Sequence, residues 1–309
     1  MVAGRFAAAL RFAAALGFAP LAAPGPAGAV DVLTGSLKTI AERGEVVIGY
    51  RSSSVPFSFV EGKREDGGDR PIGYAIDLCG EIVDGISRAI GRPGLRVRYE
   101  PVTSETRIAA VSSGKVDLEC GSTTANAERR RSVAFSPVTY ISATKLLVPK
   151  ASAIASYRDL GGKKIVVTAG TTNEGAVRTL LARLKLQADI VTGRDHAESF
   201  AMVKDGRADA FALDDVLLFG LIANAGADGT NFQVLPDKLS FEPYGIMFRK
   251  DDPELAGAVT ATFERLAESR ELRWIYERWF LKRLPNGERL NVPMSDDLKT
   301  SFQLIGLEE

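Results

Sequence analysis

Glu45-Val46-Val47-Ile48-Gly49-Tyr50-Arg51 is an apolar run closed by an arginine, and the polar, proline-containing turn of residues 52–56 follows it. An apolar stretch of this length bounded by turn residues predicts a mostly buried strand. A short helix around residues 37–43 precedes it, and residues 61–71 read as a charged, glycine-rich loop. Within residues 75–90, Ile76, Cys79, Ile82, Val83, Ile86 and Ile90 fall on one helical stripe. Residues 95–102 alternate as a strand, 107–112 suit a short helix, and 116–120 form another strand. Strands alternating with helices argue for an α/β fold with a largely parallel sheet.

The same grammar restarts after Lys150. Residues 164–168 predict a strand, 173–184 a helix, the stretch near Ile190 a strand, and 196–204 a helix. Residues 208–212 and 216–223 repeat strand and helix. Two α/β units of about 100 residues each match ordinary domain sizes. The stretches joining them, 144–148 and 244–248, are apolar and lack Gly-Ser runs, so they predict strands and not loose linkers. Residues 253–280 read as a helical pair whose Trp274, Tyr276, Trp279 and Phe280 are expected in the core.

The chain has 309 residues, 45% hydrophobic and 25% charged, a globular composition long enough for two lobes. Its first segment differs: Arg5 and Arg11 precede an alanine-rich apolar run, then Pro24, Pro26 and Ala27-Gly28-Ala29. That pattern predicts a secretory signal over residues 1–29, cleaved after Ala29. A membrane anchor would need about 20 uninterrupted apolar residues, and Arg11, Pro20, Pro24 and Pro26 break each such window. Loss of residues 1–29 removes two arginines and no acid, leaving a mature charge of about −2. Wholesale attraction to nucleic acid or lipid is therefore not expected. An exported chain would carry Cys79 and Cys120 into an oxidising compartment, where a bridge could persist; two buried thiols are the alternative. With His196 as the single histidine, neither a metal site nor a cofactor is expected.

In open α/β sheets ligands bind beyond the carboxyl ends of the strands. Arg51 closes the first strand; Ser104 and Arg107 follow the second; Gly121-Ser122-Thr123-Thr124, with Arg129 a turn further on, follows the third. A guanidinium fork holds a carboxylate through two parallel bonds, so arginines past three strands suit a ligand with two carboxylates. In the second unit, residues 168–172 lead straight from strand to helix, an arrangement open to an anion or to ordinary capping by threonine. Asp214 and Asp215 could accept from an ammonium group or merely cap the next helix. His196, beside Asp195, reads by itself as structural.

These runs, in this order, resemble the periplasmic glutamate/aspartate-binding proteins of ABC importers, a branch of the polar amino-acid solute-binding family. The resemblance spans residues 37–302 and rests on Arg51-Ser52-Ser53-Ser54-Val55-Pro56-Phe57-Ser58, Pro101-Val102-Thr103-Ser104 with Arg107, and Glu119-Cys120-Gly121-Ser122-Thr123-Thr124 with Glu128-Arg129. Gly170-Thr171-Thr172, Asp195-His196 with Ser199-Phe200, Asp214-Asp215, Tyr244-Gly245 and residues 249–253 complete it. It implies a two-lobed periplasmic binding fold of type II, with lobe 1 from residues 30–143 and 246–309, lobe 2 from 144–245, and crossover strands near 144–148 and 244–248 as the hinge. It further implies that Arg129, with backbone donors near Thr124 and Thr172, holds an α-carboxylate, and that Asp214 and the Ser122 carbonyl hold the α-ammonium. Arg51, Ser104, Arg107 and His196 would surround the side-chain carboxylate. The expected protein is a monomeric, non-catalytic periplasmic receptor for glutamate or aspartate that serves the membrane subunits of an ABC importer. The competing readings are a dehydratase-like enzyme on the same fold, with Glu174 as its acid or base, and a sensory module for a membrane receptor.

Overall fold

The computed structural model describes Met1, Gly4 and residues 33–307; the expected signal segment and its cleavage after Ala29 fall otherwise outside the described residues. The first half runs α1 (Gly35–Arg43), β1 (Glu45–Tyr50), β2 (Ser53–Ser54), β3 (Ser58–Lys63), β4 (Asp69–Ile72), α2 (Tyr74–Ala89), β5 (Arg96–Pro101), α3 (Arg107–Ser112), β6 (Leu118–Cys120) and β7 (Val133–Phe135). The chain then passes through β8 (Tyr140–Ser142) into β9 (Thr144–Pro149), β10 (Lys164–Thr168), α4 (Asn173–Leu184), β11 (Asp189–Gly193), α5 (His196–Lys204), β12 (Ala210–Asp214), α6 (Asp215–Asn224) and β13 (Phe232–Val234). It returns through β14 (Glu242–Tyr244) to β15 (Met247–Arg249), α7 (Pro253–Glu268), α8 (Glu271–Phe280) and α9 (Asp296–Gln303).

Two five-stranded sheets result, in the orders β5-β1-β6-β15-β7 and β11-β10-β12-β9-β13. In each, three strands run parallel and the fourth is antiparallel to its neighbours. That reversed strand is in each case the first one formed after the chain has crossed from the other lobe. The fold is α/β and two-lobed, as expected. The β-branched runs explain the parallel centres: Val46 to Ile48 and Ile165 to Val167 are all buried, as strands covered by helices on both faces must be.

The crossing lies a few residues from where the sequence put it. β8 and β14 pair antiparallel, Tyr140 with Tyr244 and Ser142 with Glu242, as a separate two-stranded sheet. The stretch expected as the first hinge strand, 144–148, is instead β9 of the second sheet, and Met247–Arg249 belongs to the first. Aromatic packing fixes the crossing: the Phe57 ring sits 5.1 Å from Tyr140, 5.2 Å from Tyr244 and 5.6 Å from Phe280. Edge-to-face contacts of this kind anchor both crossover strands to the first lobe.

Two further expectations change. Residues 61–71 are not a loop throughout but largely a hairpin, with Phe59 opposite Ile72 and Lys63 opposite Asp69. Of the α8 aromatics, Tyr276, Trp279 and Phe280 are buried, whereas Trp274 lies on the outer face, 74% exposed. Cys79 and Cys120 form a disulfide, with Cα atoms 6.3 Å apart, tying α2 to the end of β6.

Candidate functional site

β1, β5 and β6 are parallel, so their carboxyl ends and the loops beyond them share one edge of the first sheet. β10, β11 and β12 do the same in the second. Between these edges lies a narrow cavity, lined by Ser104, Arg107, Ser122 and Thr124 from one lobe. Thr171, Thr172, Asn173, His196, Leu213, Asp214 and Leu217 line it from the other. Seven of the nine residues expected to bind ligand line this cavity. The other two, Arg51 and Arg129, are buried and electrostatically coupled to Arg107.

The lobes approach closely around the cavity. A Cβ on Gly170, whose φ is +74°, would stand 2.5 Å from the Glu105 Cα in the opposite lobe, so only glycine fits. Arg129 donates through Nη1 to the Thr124 carbonyl at 3.0 Å and through Nη2 to the Gly170 carbonyl at 3.4 Å, touching both lobes. Glu242, on β14, accepts from Thr124 Oγ1 at 2.6 Å and Thr172 Oγ1 at 2.8 Å, one hydroxyl from each side.

Cationic groups crowd the interior. Burial, and then the neighbouring Arg107, pull the Arg51 guanidinium down to about 9. Burial and Arg107 bring Arg129 down to about 10, and burial lowers Arg107 itself. Glu119 opposes all three shifts. Guanidinium groups that depress one another in a low-dielectric space favour any anion that enters. Among the described residues Arg51 Nη1, Arg107 Nε, Ser104 Oγ, Ser122 Oγ and His196 Nε2 are buried without a hydrogen-bond partner. Most buried polar atoms are paired, so unmatched atoms gathered on the expected binding residues mark a place for a polar ligand.

The capping alternatives can be decided. Neither Thr172 nor Asp214 makes a side-chain cap to the helix it precedes. Asp214 instead accepts from Asn173 Nδ2 at 2.7 Å and from the Tyr244 hydroxyl, while Asp215 takes the Val216 N–H at 2.9 Å. Burial, then Glu242, push the Asp214 carboxyl up to about 7. The Ser122 carbonyl, expected to face an ammonium, accepts from Arg107 Nη1 at 3.3 Å. Arg129 stands in a single 3₁₀ turn and not a full helix. Glu174, the acid of the enzyme reading, is held by Arg178 at 2.8 Å one turn along α4 and does not line the cavity.

Sequence reasoning missed Glu242 and gave Asn173 no role, and it quoted Glu119 and Thr168 only as members of longer runs. Glu119 stood inside a motif already quoted, but an acid in a strand reads as solvent-facing. Here it is fully buried and accepts from Thr123 Oγ1 at 2.7 Å, which in turn accepts from Arg107 Nη1 at 2.7 Å. A Glu in an apolar strand beside three arginines was the available signal.

The chain is similar to several known proteins over most of its length. The chain is 42% identical to the L-glutamate/L-aspartate-binding protein of Pseudomonas aeruginosa over 87% of its own length and 88% of that protein's. It is 35% identical to the glutamate/aspartate import solute-binding protein of Escherichia coli strain K12, with 87% of each chain covered. Among solved structures it matches the ancestral amino acid-binding protein AncCDT-1, a precursor of cyclohexadienyl dehydratase, with a TM-score of 0.66 at 30% identity, covering 79% of this chain and 99% of that one. No helix of the described residues is long and apolar enough to cross a membrane. The model of the bacterial extracellular solute-binding proteins, family 3, matches residues 46–282, and the chain belongs to that family.

Proposed function

We propose that this chain is a periplasmic receptor that binds glutamate or aspartate between its lobes and delivers it to the membrane subunits of an ABC importer. The carrying observation is the set of three buried, mutually repelling arginines around a cavity that also holds Asp214. Two carboxylates would answer the arginines, and an α-ammonium would answer Asp214. The names of the Pseudomonas and Escherichia relatives support the ligand, and the second adds import. The placement of Glu174 on the α4 surface favours a receptor over an enzyme.

Within this reading Arg129 and the loops of Thr124 and Thr172 hold the α-carboxylate, and Asp214 takes the ammonium. Arg51, Ser104, Arg107 and His196 receive the side-chain group. Calorimetric titration of the mature chain with glutamate, aspartate, glutamine and asparagine tests it. The acids should bind most tightly, and glutamine matching glutamate would overturn a charge-reading pocket. Removing one partner of a buried charge pair costs about 3–5 kcal/mol, so Arg129→Ala should weaken glutamate binding roughly 100-fold or more.

A further inference from the structure

Helix α6 carries a buried glycine in its interior, Gly220, within the apolar run Val216-Leu217-Leu218-Phe219-Gly220-Leu221. A glycine inside a helix costs stability relative to alanine, so its place there is explained by what lies against it. A Cβ on Gly220 would stand 2.1 Å from the Val55 carbonyl oxygen, 2.7 Å from the carbonyl carbon and 3.1 Å from the Val55 Cβ. Carbon and oxygen in contact stand about 3.3 Å apart, so any side chain at 220 would push the two segments about 1 Å or more apart. No rotamer change relieves this, because the obstacle is main chain, on a turn that follows the pairing of β2 with β3.

Val55 belongs to the first lobe and Gly220 to the second. Leu217, one turn earlier on the same face of α6, lines the cavity. One turn later the Ala223 carbonyl accepts from Asn286 Nδ2 of the first lobe at 3.2 Å. Successive turns of α6 thus meet the cavity, the Val55 main chain and the Asn286 side chain. Gly170 makes another close approach between the lobes, but its φ of +74° strains any replacement whether the lobes are open or shut. Gly220 is helical, so a replacement there is strained only where the lobes meet.

We propose that Gly220 is a closure-determining residue: the lack of a side chain lets α6 come to rest on the Val55 carbonyl, and this stop sets how tightly the lobes hold a ligand. The proposal rests on the reading that an amino acid is bound between the lobes. A side chain at 220 leaves the open form untouched and raises the energy of the closed one. It therefore lowers the fraction of protein competent to hold ligand and weakens the apparent affinity in proportion. None of the groups expected to touch the ligand is altered.

Gly220→Ala and Gly220→Leu test this in the full mature chain, with Gly257→Ala as the control. Gly257 lies within α7, and nothing stands within 4 Å of a Cβ there. In calorimetry Gly220→Ala should bind glutamate about 10- to 100-fold more weakly than wild type, the range an overpacked contact gives, and Gly220→Leu more weakly still. In small-angle scattering, saturating glutamate should shrink Gly220→Ala less than wild type and Gly220→Leu not at all. The ligand-free urea midpoint of Gly220→Ala should match or exceed that of wild type, because alanine suits a helix better than glycine. Gly257→Ala should bind and compact as wild type does. Full compaction of Gly220→Ala with an affinity within about threefold of wild type overturns the proposal. A lowered ligand-free midpoint also overturns it, since that marks a merely structural glycine. Wild type that binds neither glutamate nor aspartate sinks the receptor reading and the proposal with it; wild type that binds beside an unaffected Gly220→Ala sinks the proposal alone.

Discussion

Burial and the neighbouring Glu242 push the Asp214 carboxyl up to about 7, against the pull of its bonds from Tyr244 and Asn173. Arg107 and Arg129 also face it. An ammonium is held by the ionised form, so the group must lose its proton to bind ligand. The ionised fraction falls as pH drops through about 7, and affinity falls with it. Below about pH 6 glutamate binding should weaken close to tenfold per pH unit, and binding near neutrality should release a proton. Titrations from pH 5 to 8 in two buffers of different ionisation enthalpy measure both effects. Asp214→Asn should bind weakly and without that slope. His196 cannot produce the slope, since its ring titrates well below the usual range. At this scale the sequence carried far: arginines past strand ends are legible because the carboxyl edge of a parallel sheet is where loops converge. Glu242 was not, because its meaning comes from Thr124 and Thr172, which are 118 and 70 residues away.

The loop of residues 121–124 is held at its root by an element contact, the disulfide from α2 to the end of β6. Gly121 follows immediately, and a Cβ there would stand 2.3 Å from Glu119 Oε1 and 3.0 Å from Arg51 Cγ. The loop thus lies flat against the arginine cluster and its counter-charge. Closing a loop of 41 residues stabilises a fold by about 4 kcal/mol in the chain-entropy account. The double variant Cys79→Ser, Cys120→Ser should lose about 2–4 kcal/mol in urea unfolding, and reduced wild type should match it. An unchanged midpoint would show that packing alone seats the loop. Periodicity located α3, α4 and α5 at their observed bounds, because a 3.6-residue stripe survives without tertiary help. The hairpin of β3 and β4 escaped notice for the opposite reason. Its charges pair across the strands, as Lys63 does with Asp69 at 2.5 Å, and a charged strand has no apolar alternation to betray it.

The two-unit organisation was readable in the repeated strand–helix grammar, but closure was not, since it is made of contacts between residues far apart in the chain. In the closed molecule Arg129 reaches from Thr124 to Gly170, and Glu242 joins Thr124 to Thr172. Against these bonds stands the cost of enclosing Arg51, Arg107 and Arg129 together. Glu119, Asp214 and Glu242 are buried with them and offset part of that cost. Each enclosed ion still loses hydration worth several kcal/mol, more than a few neutral hydrogen bonds return. A dicarboxylate changes that balance by neutralising the arginines only when both lobes surround it, so its affinity for the closed form exceeds that for the open one. The free protein should therefore open at the β8–β14 crossing, and glutamate should draw it shut. Small-angle scattering should show a smaller radius of gyration on adding glutamate, and Arg129→Ala should need proportionately more ligand for the same compaction. At 100 times Kd the ligand should also add about 2.7 kcal/mol to unfolding stability. Glutamate that binds by calorimetry while leaving the scattering curve unchanged would mean that the lobes close without it. The repulsion among the three arginines would then have to be offset within the protein, with Glu119 and Glu242 as the counter-charges.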